Sequence, residues 1–159
     1  MKFGAVIVGG GQGSRLKADV PKAFVPVGSK PLFWYSLEAF LSHPDISEIV
    51  LVLPKERPDV SIPNRCKIIT GGSSRQDSVF NGLNALSPDC DAVLVHDAAR
   101  PFITRDIIDR LVAKLKEGKG CIAAWPVSDT VKLTEGEHIV KTIDRTHLWA
   151  AQTPQAFPT

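Results

Sequence analysis

Residues 3–8 read Phe-Gly-Ala-Val-Ile-Val, an apolar run with no polar alternation, and comparable runs recur at 49–53, 92–95 and 121–125, with a further short strand expected at 66–69. A strand that alternates has one wet face, whereas a strand apolar throughout must be covered on both, the condition of a parallel sheet flanked by helices. Helical segments separate the runs. Residues 31–43 carry Leu32, Tyr35, Leu37, Ala39, Phe40 and Leu41 behind an opening proline and close before Pro44. Ser73 with Gln76 three residues on forms a capping-box pattern ahead of a Val79, Leu83 and Leu86 stripe. Thr104 can cap a helix bearing Ile107, Ile108, Leu111, Val112 and Leu115, which stops at Gly118. The β-α alternation predicts an α/β fold: an open, mostly parallel, Rossmann-like three-layer sheet.

The texture changes after Pro126. Residues 130–133 and 138–143 alternate around Glu135-Gly136-Glu137, which predicts a protruding β-hairpin arm within residues 127–145. A lone hairpin is only marginally stable, so the arm calls for a partner, and a second subunit would serve. From Gln152 to Thr159 no closing strand or helix is expected, and the chain is read as a fragment of a longer polypeptide.

Bulk properties narrow the partners. The 159 residues suit one domain, and 43% apolar content fills an ordinary core. A net charge of +2 gives no electrostatic grip on nucleic acid or a membrane surface, but leaves a small anionic ligand open. Cys66, Cys90 and Cys121 form no C-x-x-C pair and read as buried reduced thiols. The first apolar run is too short for a signal peptide or a spanning helix, so a cytoplasmic location is expected.

The first run ends in Gly9-Gly10-Gly11-Gln12-Gly13-Ser14-Arg15, with Pro21-Lys22 beyond. Neither the dinucleotide fingerprint G-x-G-x-x-G nor the loop G-x-x-x-x-G-K-[ST] fits, because Ser14 or Leu16 stands where the last glycine would be needed. What remains is a glycine turn whose bare N–H groups can cradle an anion, with Arg15 and Lys22 as added cations. Ligands of open α/β sheets sit outside the carboxyl ends of strands, and two further ends carry unusual residues, 71–78 and 96–100. Asp97 is a natural Mg²⁺ contact beside a polyphosphate, although a local cap or turn role is the competing reading. His96 reads as a satisfied structural side chain rather than an acid or base. No G-x-S-x-G elbow and no cationic cysteine site is present. A phosphate monoester acceptor needs no protein nucleophile, since its second pKa is about 6. Orientation and cations around a phosphorus centre would then suffice.

These motifs together resemble the 2-C-methyl-D-erythritol 4-phosphate cytidylyltransferase (IspD) family of nucleotidyltransferases. The resemblance rests on Gly-x-Gly-x-Arg with Pro21-Lys22, Gly71-Gly72-x-x-Arg75-x-x-Ser78-Val79, residues 95–101, Asp129-Thr130, Asp144-Arg145-x-x-Leu148-Trp149 and Thr153-Pro154-Gln155. It covers essentially the whole chain, 1–159, as one nucleotidyltransferase domain. It implies that the phosphate of methylerythritol phosphate attacks the α-phosphorus of CTP in non-mevalonate isoprenoid synthesis, with Mg²⁺ as divalent cation. It further implies that Arg15 and Lys22 stabilise transition-state charge, and that Gly9, Gly10, Gly11, Gly13, Gly72, Ser78 and Ala98 line the CTP site. Asp97 would lie near Mg²⁺, while Arg100, Thr130, Arg145 and Thr153 would face the acceptor. Arg145 would come from the partner of a homodimer through the hairpin arm, positioning the attacking phosphate.

Three departures stand out. The family usually shows Ala-Ala-Gly where this chain has Gly9-Gly10-Gly11, and glutamine where it has Ala23. A late family segment, expected to supply a second acidic residue and another lysine, lies outside residues 1–159, so weak or absent activity is expected of this piece alone. A ribitol-5-phosphate cytidylyltransferase, whose first loop is also glycine-rich, and a non-catalytic nucleotide-binding module are the alternatives. The intact Ala98-Ala99-Arg100-Pro101 and Asp144-Arg145-x-x-Leu148-Trp149 patterns favour methylerythritol phosphate.

Overall fold

The computed structural model describes residues 1–10 and 20–159. The apolar runs form the parallel strands β1 (Phe3–Val8), β4 (Ile46–Leu53), β5 (Cys66–Thr70) and β6 (Ala92–Asp97). Two short strands, β2 (Pro26–Val27) and β3 (Lys30–Pro31), pair antiparallel ahead of helix α1 (Leu32–Leu41). Helices α2 (Arg75–Asn84) and α3 (Arg105–Lys116) and strand β7 (Cys121–Pro126) follow, then β8 (Lys132–Glu135), β9 (His138–Thr142) and β10 (Trp149–Pro158). The main sheet runs β5-β4-β1-β6-β10-β7. Pairings among β5, β4, β1 and β6 are parallel, and β10 is antiparallel to both of its neighbours.

Alternate residues of each central strand feed opposite layers, as a period of two requires. Ala5, Ile7, Ile49, Leu51 and Leu94 pack with Phe33, Leu37 and Phe40 of α1 and Ile108, Leu111 and Leu115 of α3. Val6, Val50, Val52, Val93 and Val95 form the other layer, against Val79 and Leu86. The three-layer expectation therefore holds.

Of the expected α2 stripe, Val79 and Leu86 pack against the sheet but Leu83 does not. The helix's buried residues are Ser78 and Gly82, whereas Leu83 is 37% exposed. A Cβ on Gly82 would lie 2.3 Å from Val6 Cγ1, so the helix seats its smallest residue on the sheet. The cap also sits one residue later than expected. Ser74 Oγ accepts the Asp77 amide at 3.0 Å, and Asp77 Oδ2 accepts the Ser74 amide at 3.0 Å. Thr104 caps α3 as expected, accepting from the Ile107 amide.

The final segment corrects the expectation that no closing strand follows. Residues of β10 insert between β6 and β7: Gln155–Phe157 oppose Val95–Val93 on one side, and Trp149–Ala151 oppose Pro126–Ala124 on the other. The register on β7 shifts between Ala151 and Gln155, around a proline that has no N–H for a ladder. That irregularity brings Thr153 to the carboxyl end of β6. The hairpin forms as expected from β8 and β9, with Gly136 at φ +56° in its turn. Every residue of both hairpin strands is exposed, including Leu133, Ile139 and Val140.

Candidate active site

The carboxyl ends of β1, β4, β5 and β6 are stitched together by backbone hydrogen bonds that continue the sheet into its loops. Gly9 N donates to Val52 O at 2.7 Å, Ala98 N to Val8 O at 2.9 Å and Gly71 N to Leu53 O at 2.9 Å. Gly9 is wedged: a Cβ there would lie 3.1 Å from both Ala23 Cβ and Ala98 Cβ. Gly10 faces α2, where a Cβ would lie 3.1 Å from Ser78 Oγ and 3.4 Å from Gly71 Cα. Two glycine turns thus meet where side chains would keep them apart. Ala23, 2% exposed, is one of the two methyl-bearing neighbours that close this space over Gly9.

Lys22 opens a 3₁₀ turn, Lys22–Phe24, whose Ala23 and Phe24 are buried in the core while Lys22 stays partly exposed. Burying the next two side chains anchors the backbone that carries the ammonium. Arg15, Gly11 and Gly13 lie outside the described residues.

Ser78 is only 3% exposed. Its hydroxyl donates to Ser74 O at 2.9 Å and accepts the Gly72 amide at 3.1 Å, so it braces the second glycine turn from beneath. Gly72 is held to glycine as well, because a Cβ would fall 2.3 Å from Asp77 Cβ.

Asp97, the last residue of β6, is the charged centre of the crevice. Its Oδ1 accepts from Arg75 Nε at 2.9 Å and its Oδ2 from Arg100 Nε at 3.1 Å. The carboxylate is 26% exposed and each guanidinium about half exposed, so water and anions reach all three. Arg100 also bonds Gln152 Oε1 of β10. Under this cluster lies His96, 1% exposed, with Nε2 3.1 Å from Arg100 O and Nδ1 3.0 Å from Thr153 Oγ1. Burial pushes its pKa down to about 4, so the ring is neutral near pH 7 and its structural reading holds.

The structure therefore assembles Gly9, Gly10, Gly72, Ser78, Asp97, Ala98, Arg100 and Thr153 around one crevice. It does not bring Thr130 or Arg145 into that cluster within the chain. Thr130 is exposed ahead of β8, and Arg145 bonds Ser128 O at the foot of the hairpin. Arg75 belongs to the 71–78 strand end and to the family motif, though it carried no assigned role, and Gln152 and Ser36 were not among the expected site residues. Arg75 had a signal, as the first residue of a capped helix facing a strand end. Ser36 had a fainter one, a lone polar residue on the apolar face of α1, where its hydroxyl lies 3.3 Å from both Ala98 O and Arg100 O.

Comparison with known proteins decides the family. Residues 3–159 match the family described as "IspD: 2-C-methyl-D-erythritol 4-phosphate cytidylyltransferase". The chain belongs to the IspD family. An IspD relative of that name from Haemophilus influenzae is 42% identical over 158 residues, spanning 97% of this chain and 70% of the relative. One from Bacillus velezensis is 41% identical over 165 residues, spanning 99% and 71%. Among solved structures, IspD from Francisella tularensis superposes with a TM-score of 0.83 at 28% identity, covering 99% of this chain and 73% of that one. The Thermus thermophilus enzyme gives 0.77 at 33%, covering 99% and 70%. The chain is thus a nucleotidyltransferase with the α/β architecture of that family.

A divalent cation is compatible with the IspD crevice. Among the described residues no group of three metal-binding side chains occurs, so a cation here would take Asp97 as its protein oxygen. One carboxylate plus phosphate oxygens is the usual Mg²⁺ arrangement, and although Asp97 Oδ1 lies 2.9 Å from both Nε and Nη2 of Arg75, Oδ2 accepts from Arg100 Nε and keeps a further lone pair.

Proposed function

We propose that this chain joins CTP to 2-C-methyl-D-erythritol 4-phosphate, giving 4-diphosphocytidyl-2-C-methyl-D-erythritol and pyrophosphate, the activity its IspD relatives are named for. The observation that carries the reading is the Asp97 carboxylate shared by Arg75 and Arg100, beside two glycine turns in close approach. That set offers cations, backbone N–H groups and one hard oxygen ligand, the inventory for a triphosphate and a second phosphate.

The acceptor phosphate is mostly ionised at neutral pH, so its oxygen attacks the α-phosphorus directly. One P–O bond forms as the bond from the α-phosphorus to the bridging oxygen breaks, and pyrophosphate leaves with that electron pair. No protein nucleophile or base is needed. Lys22 and Arg15 neutralise charge growing on the α-phosphate, where fixed cations count most in a partly dry crevice. Gly9, Gly10, Gly72 and Ala98 line the nucleotide site, and Arg100 and Thr153 orient the acceptor. Mg²⁺ held by Asp97 would supply positive charge to the triphosphate when bound.

The hairpin supports a homodimer. Leu133, Ile139 and Val140 stand exposed on an arm that one chain leaves uncovered, and Arg145 and Thr130 lie at its foot. In this reading they complete the partner's acceptor site. Among the described residues no helix is long and apolar enough to cross a membrane, and the three cysteines are unpaired, in keeping with a reducing cytoplasm.

Pyrophosphate release is expected when the full-length protein meets CTP, Mg²⁺ and methylerythritol phosphate. Turnover only with ribitol 5-phosphate would overturn the acceptor assignment, and CTP binding with no turnover of either would favour a binding module.

A further inference from the structure

His96, Thr153 and Ser36 come from three separate elements, β6, β10 and α1, and converge beneath the loop from Asp97 to Arg100. The proton positions follow from the partners. The Arg100 carbonyl can only accept, so His96 Nε2 carries the hydrogen. A neutral ring then presents a lone pair at Nδ1, and the Thr153 hydroxyl must donate to it. This leaves the Thr153 oxygen free to accept the Asp97 amide at 3.1 Å. Ser36 adds a hydroxyl 3.3 Å from the Ala98 and Arg100 carbonyls. The His96 ring is packed on Phe40 at 5.4 Å between centroids. Three backbone groups of the loop are thus tied to three side chains, of which Ser36 is fully buried and His96 1% exposed.

We infer that His96, seconded by Ser36, is a positioning residue for the transfer reaction, acting through Thr153 and the Arg100 carbonyl to hold the Asp97 and Arg100 side chains at fixed separation. The inference rests on the proposed cytidylyl transfer, since it assigns these two side chains to the metal-bound triphosphate and the acceptor phosphate. The geometry excludes a direct acid-base role, because both ring nitrogens are already bonded inside the protein. A loop released by loss of the ring would keep its residues but lose their spacing. Small misplacements of this kind are expensive in a reaction that runs on orientation.

The test compares wild type, His96→Phe, His96→Gln and Ser36→Ala in the full protein by steady-state pyrophosphate release, with thermal unfolding and hydrogen exchange of the 97–101 amides alongside. His96→Phe keeps the tilted ring contact with Phe40 and loses both hydrogen bonds, whereas His96→Gln keeps an amide N–H for the Arg100 carbonyl. His96→Phe should raise KM for methylerythritol phosphate about tenfold and lower kcat about tenfold, with faster exchange at Asp97. His96→Gln should recover most of the KM, and Ser36→Ala should shift it in the same direction by less. A drop in kcat proportional to the loss of folded protein, with both KM values unchanged, would reduce His96 to a packing residue and overturn the inference. So would a glutamine variant no better than phenylalanine. Should His96→Phe fail to fold, Ser36→Ala decides by the same KM shift. Wild type without turnover would sink the functional reading alone, while equal exchange protection in wild type and His96→Phe would overturn the anchor whatever the turnover.

Discussion

Arg75 Nε lies 2.9 Å from Asp97 Oδ1, so the first residue of α2 is tied to the last residue of β6 across the crevice. The pair joins two secondary elements, yet both partners keep access to water. An ion pair this exposed contributes little to folding, and its value lies in keeping a guanidinium at the mouth of the glycine turns. Arg75→Ala should therefore cost at most about 1 kcal/mol of stability in urea unfolding. The same change should lower kcat/KM for CTP by at least about tenfold, since hydrogen bonds to charged groups are worth roughly 1.5–3 kcal/mol. A large stability loss with unchanged kinetics would make the arginine a structural tie instead.

Lys22 and Arg15 are assigned to charge that develops only in the transition state. Replacing either by alanine should then reduce kcat by about a hundredfold or more while KM for CTP moves little, because uniform binding is not what is removed. Rapid-quench and steady-state assays with saturating acceptor check this. Equal losses in binding with kcat unchanged would reassign both residues to ground-state recognition.

The parallel strands and the polar strand ends were legible because a buried parallel strand must be apolar throughout and its end must turn through glycine or polar residues. Strand β10 was not legible, because Gln152, Thr153, Pro154 and Gln155 carry no strand pattern and owe their conformation to the slot between β6 and β7. The cap of α2 was ambiguous for a local reason: Ser73 with Gln76 and Ser74 with Asp77 both fit the spacing, and three-dimensional packing selected the second pair. Gly9, Asp97 and Arg100 could be found from their position at strand ends. Ser36 and Gln152 could not, since each acts on residues more than fifty positions away in sequence.

Gly82 illustrates how such packing sets the site. Alanine would add helix propensity worth roughly 1 kcal/mol. Its methyl would meet Val6 Cγ1 at 2.3 Å and Val52 Cγ2 at 3.1 Å, and forcing extra volume into a packed layer typically costs about 1–3 kcal/mol. Overpacking wins, so Gly82→Ala should be destabilised, with α2 lifted and Arg75 and Ser78 displaced from the crevice. Denaturant unfolding together with CTP binding reads both effects. A stabilised variant would show that the helix can shift freely on the sheet.

His96 sets an acid limit on stability. Its folded pKa is pushed down to about 4 by burial from the ordinary 6.5, so between those values the unfolded chain binds a proton that the folded ring refuses. Stability from this group is therefore intact above pH 6.5 and falls as the pH drops toward 4. The full loss is on the order of 3 kcal/mol. Asp77, whose carboxyl is held below its usual range by the Ser73 hydroxyl, also loses stability in acid, so the comparison must be with His96→Gln. Urea midpoints from pH 7 to 4 should fall more steeply in wild type than in the variant. Parallel slopes would mean that the buried ring takes up its proton without cost.

Arg145 bonds Ser128 O at the foot of the exposed hairpin, and no described hydrogen bond or ion pair joins it to Asp97, Arg75 or Arg100 of its own chain. If it serves the partner's acceptor site in a two-fold dimer, each site is built from two chains. Arg15→Ala and Arg145→Ala homodimers should both be inactive. Mixed and allowed to exchange, half of the dimers become mixed, and one site in each then receives Arg15 from one chain and Arg145 from the other. About a quarter of wild-type activity should return, as symmetry alone dictates. The recovery should require subunit exchange and disappear when the dimers are cross-linked before mixing. No recovery after demonstrated exchange would return Arg145 to its own chain's site or to the hairpin fold.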